Sequence, residues 1–252
     1  MPAAPKLLAF DTSTDRLSIA VSDGVRTWSH SGPGGAQAST SLIPAILSLL
    51  AEAGLSIDGL DAIVFGRGPG SFTGLRTACA VAQGLAFGAR QGAGVPVLPV
   101  DTLMAVAEEA RWLESASDAN SLKLPWRVTA LLDARMDEMY MQGFEFVGDV
   151  CRSLGNGELV CPESLQPDPA SDCWAGNVFT VYADRLPSAL AAARQREALP
   201  TATALLRLAP ALMAAGQCVD AALALPLYVR DKVAQTTEER EQLKAAKLAS
   251  VS

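Results

Sequence analysis

The chain has 252 residues, of which half are hydrophobic and 19% are charged, and its formal net charge is −7. This length and composition are those of a globular chain with one large domain or two modest ones. The negative charge argues against a protein that grips nucleic acid alone through a broad basic face. No apolar run is long enough to span a membrane, and the opening residues contain no signal-peptide core, so we expect a cytoplasmic protein.

The first half of the chain predicts three strands followed by alternating helices and strands. Apolar runs indicate strands, and apolar residues at helical spacing indicate helices. The predicted strands are Lys6–Phe10, Leu17–Val21, Val25–Ser29, Ala62–Phe65 and Val95–Val100, and the predicted helices are Ser39–Ala53, Thr77–Phe87 and Leu103–Leu113. We place a hairpin turn at Asp23-Gly24 and a loop over 31–41, and Pro44 is tolerable in its helix if it falls in the first turn. This order predicts a ribonuclease-H-like domain.

The second half repeats the opening of the first in a shorter form. A polar linker over 115–126 precedes two predicted strands, Val128–Leu132 and Glu138–Phe146, with a further strand near Leu159–Cys161. Helices are predicted over Ser188–Arg196, Thr201–Ala215 and Glu238–Leu248. We therefore predict an α/β protein of two ribonuclease-H-like domains in the actin-like ATPase arrangement, the second reduced. The first domain is 1–113, the second 114–234 with its last helix returning to the first domain, and 235–252 is a charged tail.

A glycine-rich turn between the strand Ala62–Phe65 and the following helix is the most distinctive segment, and we call it the glycine elbow. It comprises Gly66, Arg67, Gly68, Pro69, Gly70, Ser71, Phe72, Thr73, Gly74, Leu75 and Arg76. Its glycines allow a sharp turn and a close approach of the backbone, and Ser71 or Thr73 can cap the helix. The spacing fits neither the P-loop nor the dinucleotide fingerprint. An anion site, a rigid surface for a partner and a purely structural turn all remain open.

The turns after the first strand of each domain correspond to the phosphate turns of actin-like ATPases. The first is Asp11-Thr12-Ser13, and the second contains Asp133 and Arg135. Neither aspartate is followed by the glycine that lets a turn approach a phosphate closely. We interpret the pair as the remnant of a nucleotide cleft and expect no cofactor bound by this chain.

Other catalytic and metal sites have little support in the sequence. The five cysteines are scattered with no Cys-x-x-Cys pair, and His30 is the only histidine. Zinc sites and Ser-His-Asp or Cys-His sets need ligands or a base that this chain does not offer. We expect no metal site, a surface position for His30 and an apolar buried position for Cys79.

Several segments together resemble the bacterial TsaB (YeaZ) family. They are Leu8–Thr14, the glycine elbow, Ala82–Ala86, Thr102–Met104, Asp133–Tyr140 and Pro226–Arg230. The resemblance implies a non-catalytic subunit of the machinery that makes N6-threonylcarbamoyladenosine at position 37 of tRNAs reading codons that begin with A. Its implied partners are a TsaD-like transferase and a TsaE-like small ATPase, which supply the ATP and metal chemistry. Homodimers in isolation, and tRNA contact through the complex, are also implied.

The same resemblance implies that the first two helices form the partner interface. Small residues along the second helix allow another helix to approach closely. The predicted interface residues are Leu42, Ile46, Leu49, Leu50, Thr77, Ala80, Val81, Gly84, Leu85 and Gly88. Two other functions stay open: an M22-type peptidase, against which the single histidine argues, and an active small ATPase or kinase, against which the missing glycines argue.

Overall fold

Two five-stranded sheets form the framework of the computed structural model, which describes residues 4–117 and 122–230. The first half contains β1 Leu7–Asp11, β2 Arg16–Ser22, β3 Thr27–Pro33, α1 Ala38–Ala53, β4 Ala62–Gly68, α2 Phe72–Gly88, β5 Val97–Asp101 and α3 Thr102–Ser117. The second half contains β6 Trp126–Arg135, β7 Glu138–Val147, β8 Val150–Val160, β9 Cys173–Gly176, α4 Val178–Val181, α5 Ser188–Ala191, β10 Gln195–Glu197 and α6 Ala202–Ala214.

The first sheet has the strand order β3-β2-β1-β4-β5. The hairpins β1–β2 and β2–β3 are antiparallel, whereas β1, β4 and β5 run parallel and are joined by crossovers that contain helices. Every residue of β1 is buried, because α1 and α2 cover one face of the sheet and α6 covers the other. The predicted ribonuclease-H-like order of elements is confirmed.

The second sheet has the order β10-β9-β6-β7-β8 and repeats this topology with fewer helices. Its antiparallel strands β6, β7 and β8 are long, but β10 has only three residues and the helices beside β9 are single turns. Helix α3 packs against this sheet through Leu103, Val106 and Ala110. Helix α6 instead packs on the first sheet, so the chain returns to where it began.

Several predicted elements need correction. The third strand is Thr27–Pro33 instead of Val25–Ser29, because the Asp23 carboxylate accepts the N–H groups of Val25 and Arg26 and widens the turn. The strand therefore extends into the predicted loop over 31–41, and α1 begins at Ala38. Pro44 lies in the second turn of α1, on its exposed side, where the lost hydrogen bond faces solvent.

The prediction was also wrong over 188–196. Only Ser188–Ala191 is helical, because Gln195–Glu197 pairs with β9 and completes the sheet. The strand predicted near Leu159–Cys161 is the end of the much longer β8. Helix α3 continues through the first residues of the predicted linker to Ser117. The predicted helix Glu238–Leu248 and the tail lie outside the described residues.

Candidate functional site

The glycine elbow packs directly on the Asp11-Thr12-Ser13 turn. A Cβ atom on Gly74 would lie 1.9 Å from the carbonyl oxygen of Thr12, and one on Gly70 would lie 2.6 Å from that of Ser13. The Ser71 N–H donates to the Ser13 carbonyl at 2.7 Å. These contacts need bare backbone, so Gly70 and Gly74 serve the packing of two turns against each other.

Asp11 is fully buried beneath the elbow. Its Oδ1 accepts hydrogen bonds from the Ser13 N–H at 2.9 Å and the Ser13 hydroxyl at 2.7 Å. Its Oδ2 has no hydrogen-bond partner in the described chain and faces Gly66, where a Cβ would lie only 1.8 Å away. Burial raises the pKa of Asp11 to about 6, against the smaller opposing effect of the Ser13 hydrogen bonds. The carboxyl group therefore points into the elbow backbone.

The second predicted phosphate turn uses its aspartate in a similar way. Asp133 Oδ1 accepts from the Tyr182 hydroxyl at 2.7 Å and from the Arg135 N–H at 2.8 Å, and its Oδ2 lies 3.3 Å from the Arg135 guanidinium. Burial and the bond to Asp133 both raise the pKa of Tyr182. The backbone has φ of +60°, +56° and +62° at Arg135, Met136 and Asp137, a left-handed turn that Asp133 stabilises.

A cavity of about 340 Å³ separates the two turns. Of the predicted remnant residues, Ser13, Asp133 and Arg135 line this cavity, and the buried Asp11 and Thr12 lie behind it. Tyr140 also lines it, and sequence reasoning missed this residue because its strand position resembles an ordinary core position. The wall is largely apolar, which suits an organic group better than a chain of phosphates.

The segment 226–230, which we call the C-terminal strap, crosses both turns. The Leu227 N–H donates to the Arg67 carbonyl at 2.7 Å. The Tyr228 ring lies 5.3 Å from that of Phe72, and the Arg76 guanidinium donates to its hydroxyl at 3.2 Å. The strap therefore holds the elbow from one side and forms part of the cavity wall.

The end of the strap reaches the second domain. Arg230 donates to the carbonyl of Ala134 at 3.0 Å and pairs with the carboxylate of Glu138. This role could not be predicted from the sequence, because the contacts join residues more than 90 positions apart. Arginine donors bound to a carbonyl and a carboxylate fix the second turn relative to the first.

The outer face of α1 and α2 differs from the predicted interface. Four predicted residues, Leu42, Ile46, Leu49 and Leu50, are buried in the core of the first domain, so they cannot be contact residues of a partner. The large apolar side chains of α1 that face outward are Ile43 and Leu47, which are 42% and 50% exposed. The sequence predicted a helix with apolar residues at helical spacing. It did not show whether the stripe with Leu42 and Ile46 or the stripe with Ile43 and Leu47 would face the core.

The predicted residues of α2 lie on or beside its outer face. Thr77, Val81 and Leu85 are half-buried, whereas Ala80, Gly84 and Gly88 are exposed. A Cβ on Gly84 or Gly88 would meet nothing within 4 Å. Phe87 stands beside these glycines with 72% of its surface exposed. We call Ile43, Leu47, Ala80, Gly84, Phe87 and Gly88 the α1–α2 face.

Helix α2 begins at Phe72, with Ser71 at the capping position. No side chain caps this helix, so neither Ser71 nor Thr73 performs the predicted capping. Its first backbone N–H groups have no acceptor within the helix. Ser71 and Phe72 line the cavity, so this helix end belongs to the cavity wall.

Neither a metal site nor a disulfide bond stands out in the described ranges. Residues 4–117 and 122–230 contain no group of three or more His, Cys, Asp or Glu side chains placed to hold a metal ion. The five cysteines are unpaired, and Cys79 is buried as predicted, donating to the Ala224 carbonyl. His30 lies exposed on the edge strand β3. In the same ranges no helix is long and apolar enough to cross a membrane.

These features define a two-domain actin-like protein whose two phosphate turns are held by their own aspartates. The family model of TsaD, tRNA N6-adenosine threonylcarbamoyltransferase, matches residues 35–240. The TsaB protein of Escherichia coli is 30% identical over 236 residues, which are 91% of this chain and 96% of that protein. The TsaB protein of Haemophilus influenzae is 42% identical over 136 residues, covering 53% of this chain and about half, 51%, of that protein.

A solved structure agrees with these sequence matches. YeaZ from Pseudomonas aeruginosa superposes with a TM-score of 0.74 at 37% identity, covering 89% of this chain and 99% of that chain. The chain belongs to the TsaD family and, within it, to the TsaB (YeaZ) proteins. The resemblance and the actin-like fold predicted from the sequence are thereby confirmed.

Proposed function

We propose that this protein is a subunit of the machinery that forms N6-threonylcarbamoyladenosine on tRNA in the cytoplasm, and that it acts as the non-catalytic partner of a TsaD-like transferase. Membership of the family supports the pathway. The absence of a catalytic role is supported by the two aspartates, since Asp11 is buried under the elbow and Asp133 is bonded to its own turn. A peptidase would have only the exposed His30 as a histidine base. The α1–α2 face is apolar and offers no catalytic group to such an enzyme.

The observation that carries the partner role is the α1–α2 face. Two neighbouring helices expose Ile43, Leu47 and Phe87 around a strip of small residues. Because Gly84 and Gly88 leave open space above the helix, the backbone of a partner helix can approach closely. Burying the exposed apolar area would stabilise a complex by roughly 25 cal/mol per Å² before the costs of association.

The same face offers a docking position to either of two partners. A TsaD-like subunit of the same fold would present equivalent helices, and a second copy of this chain would use the face in isolation. The two assemblies would then exclude each other. A TsaE-like ATPase would join the heterodimer, and tRNA would be held by the complex, since this chain has a net charge of −7.

Substitution of Gly84 by leucine tests the proposal. The open space above Gly84 means that Gly84→Leu leaves the monomer folded but fills the strip at which a partner helix would approach. Ala214→Leu, at an exposed position in the last turn of α6, is the matched control. We expect Gly84→Leu to abolish co-elution with the TsaD-like subunit on size exclusion and Ala214→Leu to retain it.

A cellular assay completes this test. In cells depleted of the protein, the threonylcarbamoyladenosine content of tRNA should fall, and the unmodified protein or Ala214→Leu should restore it while Gly84→Leu does not. An unchanged content after depletion would contradict the pathway. A normal content with Gly84→Leu would contradict only the interface.

A further inference from the structure

Tyr140 presents an unpaired hydroxyl group to the cavity between the two domains. The residue is 94% buried, with only 6% of its surface exposed, and it lines the cavity wall. Among the described residues its hydroxyl makes no hydrogen bond, in contrast with Tyr182, which donates to Asp133. The hydroxyl oxygen is not one of the polar atoms that are shielded from solvent without a partner, so it opens to the cavity, where a ligand or a water molecule can bond to it.

The uncapped start of α2 also lines the cavity, through Ser71 and Phe72. This helix has 17 residues, and no side chain accepts a hydrogen bond from its first N–H groups. The macrodipole of the helix adds a partial positive charge at the same place. Helix starts of this kind bind carboxylates and phosphates. Arg135, whose side chain is 74% exposed, lines the cavity as well.

The remaining wall is apolar. Phe72 and Leu75 line it from the first domain, Leu132 from the second, and Leu227 and Tyr228 from the strap. A volume of about 340 Å³ lies at the lower end of the range for small-molecule sites. A nucleotide is disfavoured, because the turns after Asp11 and Asp133 have side chains where a phosphate would need bare backbone.

We propose that the cavity binds a small carboxylate with an apolar body. The carboxylate accepts hydrogen bonds from the start of α2 and from the Tyr140 hydroxyl, and the body packs between Phe72 and Leu132. Burial raises the pKa of Tyr140, so that its hydroxyl keeps its proton and remains a donor at neutral pH. This site lies away from the α1–α2 face, and the inference does not depend on the proposed tRNA role.

The test is a titration of the full-length protein with 3-phenylpropionate, followed by amide chemical shifts. The neutral 3-phenylpropan-1-ol, of nearly the same shape, is the matched control ligand. We expect the acid to bind with a Kd on the order of 1 mM or tighter. The shift changes should include the amides of Phe72 and Thr73, and the alcohol should bind at least about tenfold more weakly.

Two variants separate binding from folding. Tyr140→Phe removes a hydroxyl without a partner, so it should leave thermal stability unchanged or raised. The same variant should weaken the binding of 3-phenylpropionate at least about tenfold. Tyr182→Phe removes a hydroxyl that donates to Asp133 and lies outside the cavity wall, so it should lower thermal stability but leave the binding of 3-phenylpropionate unchanged. Absence of binding, equal binding of acid and alcohol, equal binding to Tyr140→Phe, or competitive displacement of the acid by ATP would each overturn the proposal.

Discussion

Replacement of Asp11 by asparagine provides a direct test of how the glycine elbow treats this carboxyl group. The folded protein raises the pKa of Asp11 from 3.8 to about 6, because the elbow removes it from water. At 1.36 kcal/mol per pKa unit, the difference corresponds to about 3 kcal/mol. The folded state binds the proton more tightly than the unfolded chain, so this contribution to stability is present below about pH 4 and is lost as the pH rises to about 6.

Asp11→Asn removes the ionisation but keeps an oxygen for the two Ser13 hydrogen bonds. Its amide group then occupies the unpartnered position beside Gly66, much as the protonated acid does at low pH. We therefore expect the two proteins to differ little in the slope of stability below pH 4. Between pH 4 and 7 the variant should gain about 3 kcal/mol relative to the parent.

Chemical denaturation at a series of pH values measures this difference. Asp23→Asn is a suitable control, because the N–H groups of Arg26 and Val25 lower the pKa of that exposed carboxyl. Its contribution has the opposite sign and is complete above about pH 4, so Asp23→Asn should lose stability relative to the parent as the pH rises to about 4 and show no further change between pH 4 and 7. A flat difference between Asp11→Asn and the parent from pH 4 to 7 would refute the account of a buried, desolvated Asp11.

Three further substitutions test the framework. Gly74→Ala should prevent folding or lower the free energy of unfolding by several kcal/mol, because its Cβ would lie 1.9 Å from the Thr12 carbonyl oxygen. Gly84→Ala in the same helix should raise the free energy of unfolding by up to about 1 kcal/mol, as measured by thermal or urea unfolding. Glu114→Gln should lower the free energy of unfolding by about 3 kcal/mol in the same assay, because Arg194 and Arg196 would lose their buried charged partner. An unaltered unfolding midpoint would contradict this expectation. Arg230→Ala should increase amide hydrogen exchange in the 133–138 turn without changing exchange in β1, and equal protection of the turn would argue against the strap.

The element order of the first domain was predictable because its signals are local. Strands β1 and β4 each begin with a run of four apolar residues, and the helices carry apolar residues at a 3.6-residue spacing. The second domain was less predictable, since β10 is a three-residue strand with polar side chains that forms only because β9 offers a free edge. Such a strand depends on tertiary pairing and leaves no periodic pattern in the sequence.

The candidate sites show the same division. Composition located the glycine elbow, but only the structure shows that Gly70 and Gly74 pack on a backbone 60 residues away in sequence. On α1, the inward-facing Leu42 and Ile46 and the outward-facing Ile43 and Leu47 are chemically alike. Which stripe faces the sheet depends on how α1 packs in the folded domain, and the hydrophobic pattern alone does not encode that packing.

Helix α2 connects the Asp11 turn to the α1–α2 face. Its buried side, with Ala78 and Ala82, packs on the first sheet, and its start is locked to the Asp11 turn by Gly74. Its outer side carries Gly84 and Phe87. A change that reopened the Asp11 turn to a phosphate would have to move this helix start, and with it the α1–α2 face. Packing thus couples the closed phosphate turn to the surface on which partner binding would depend.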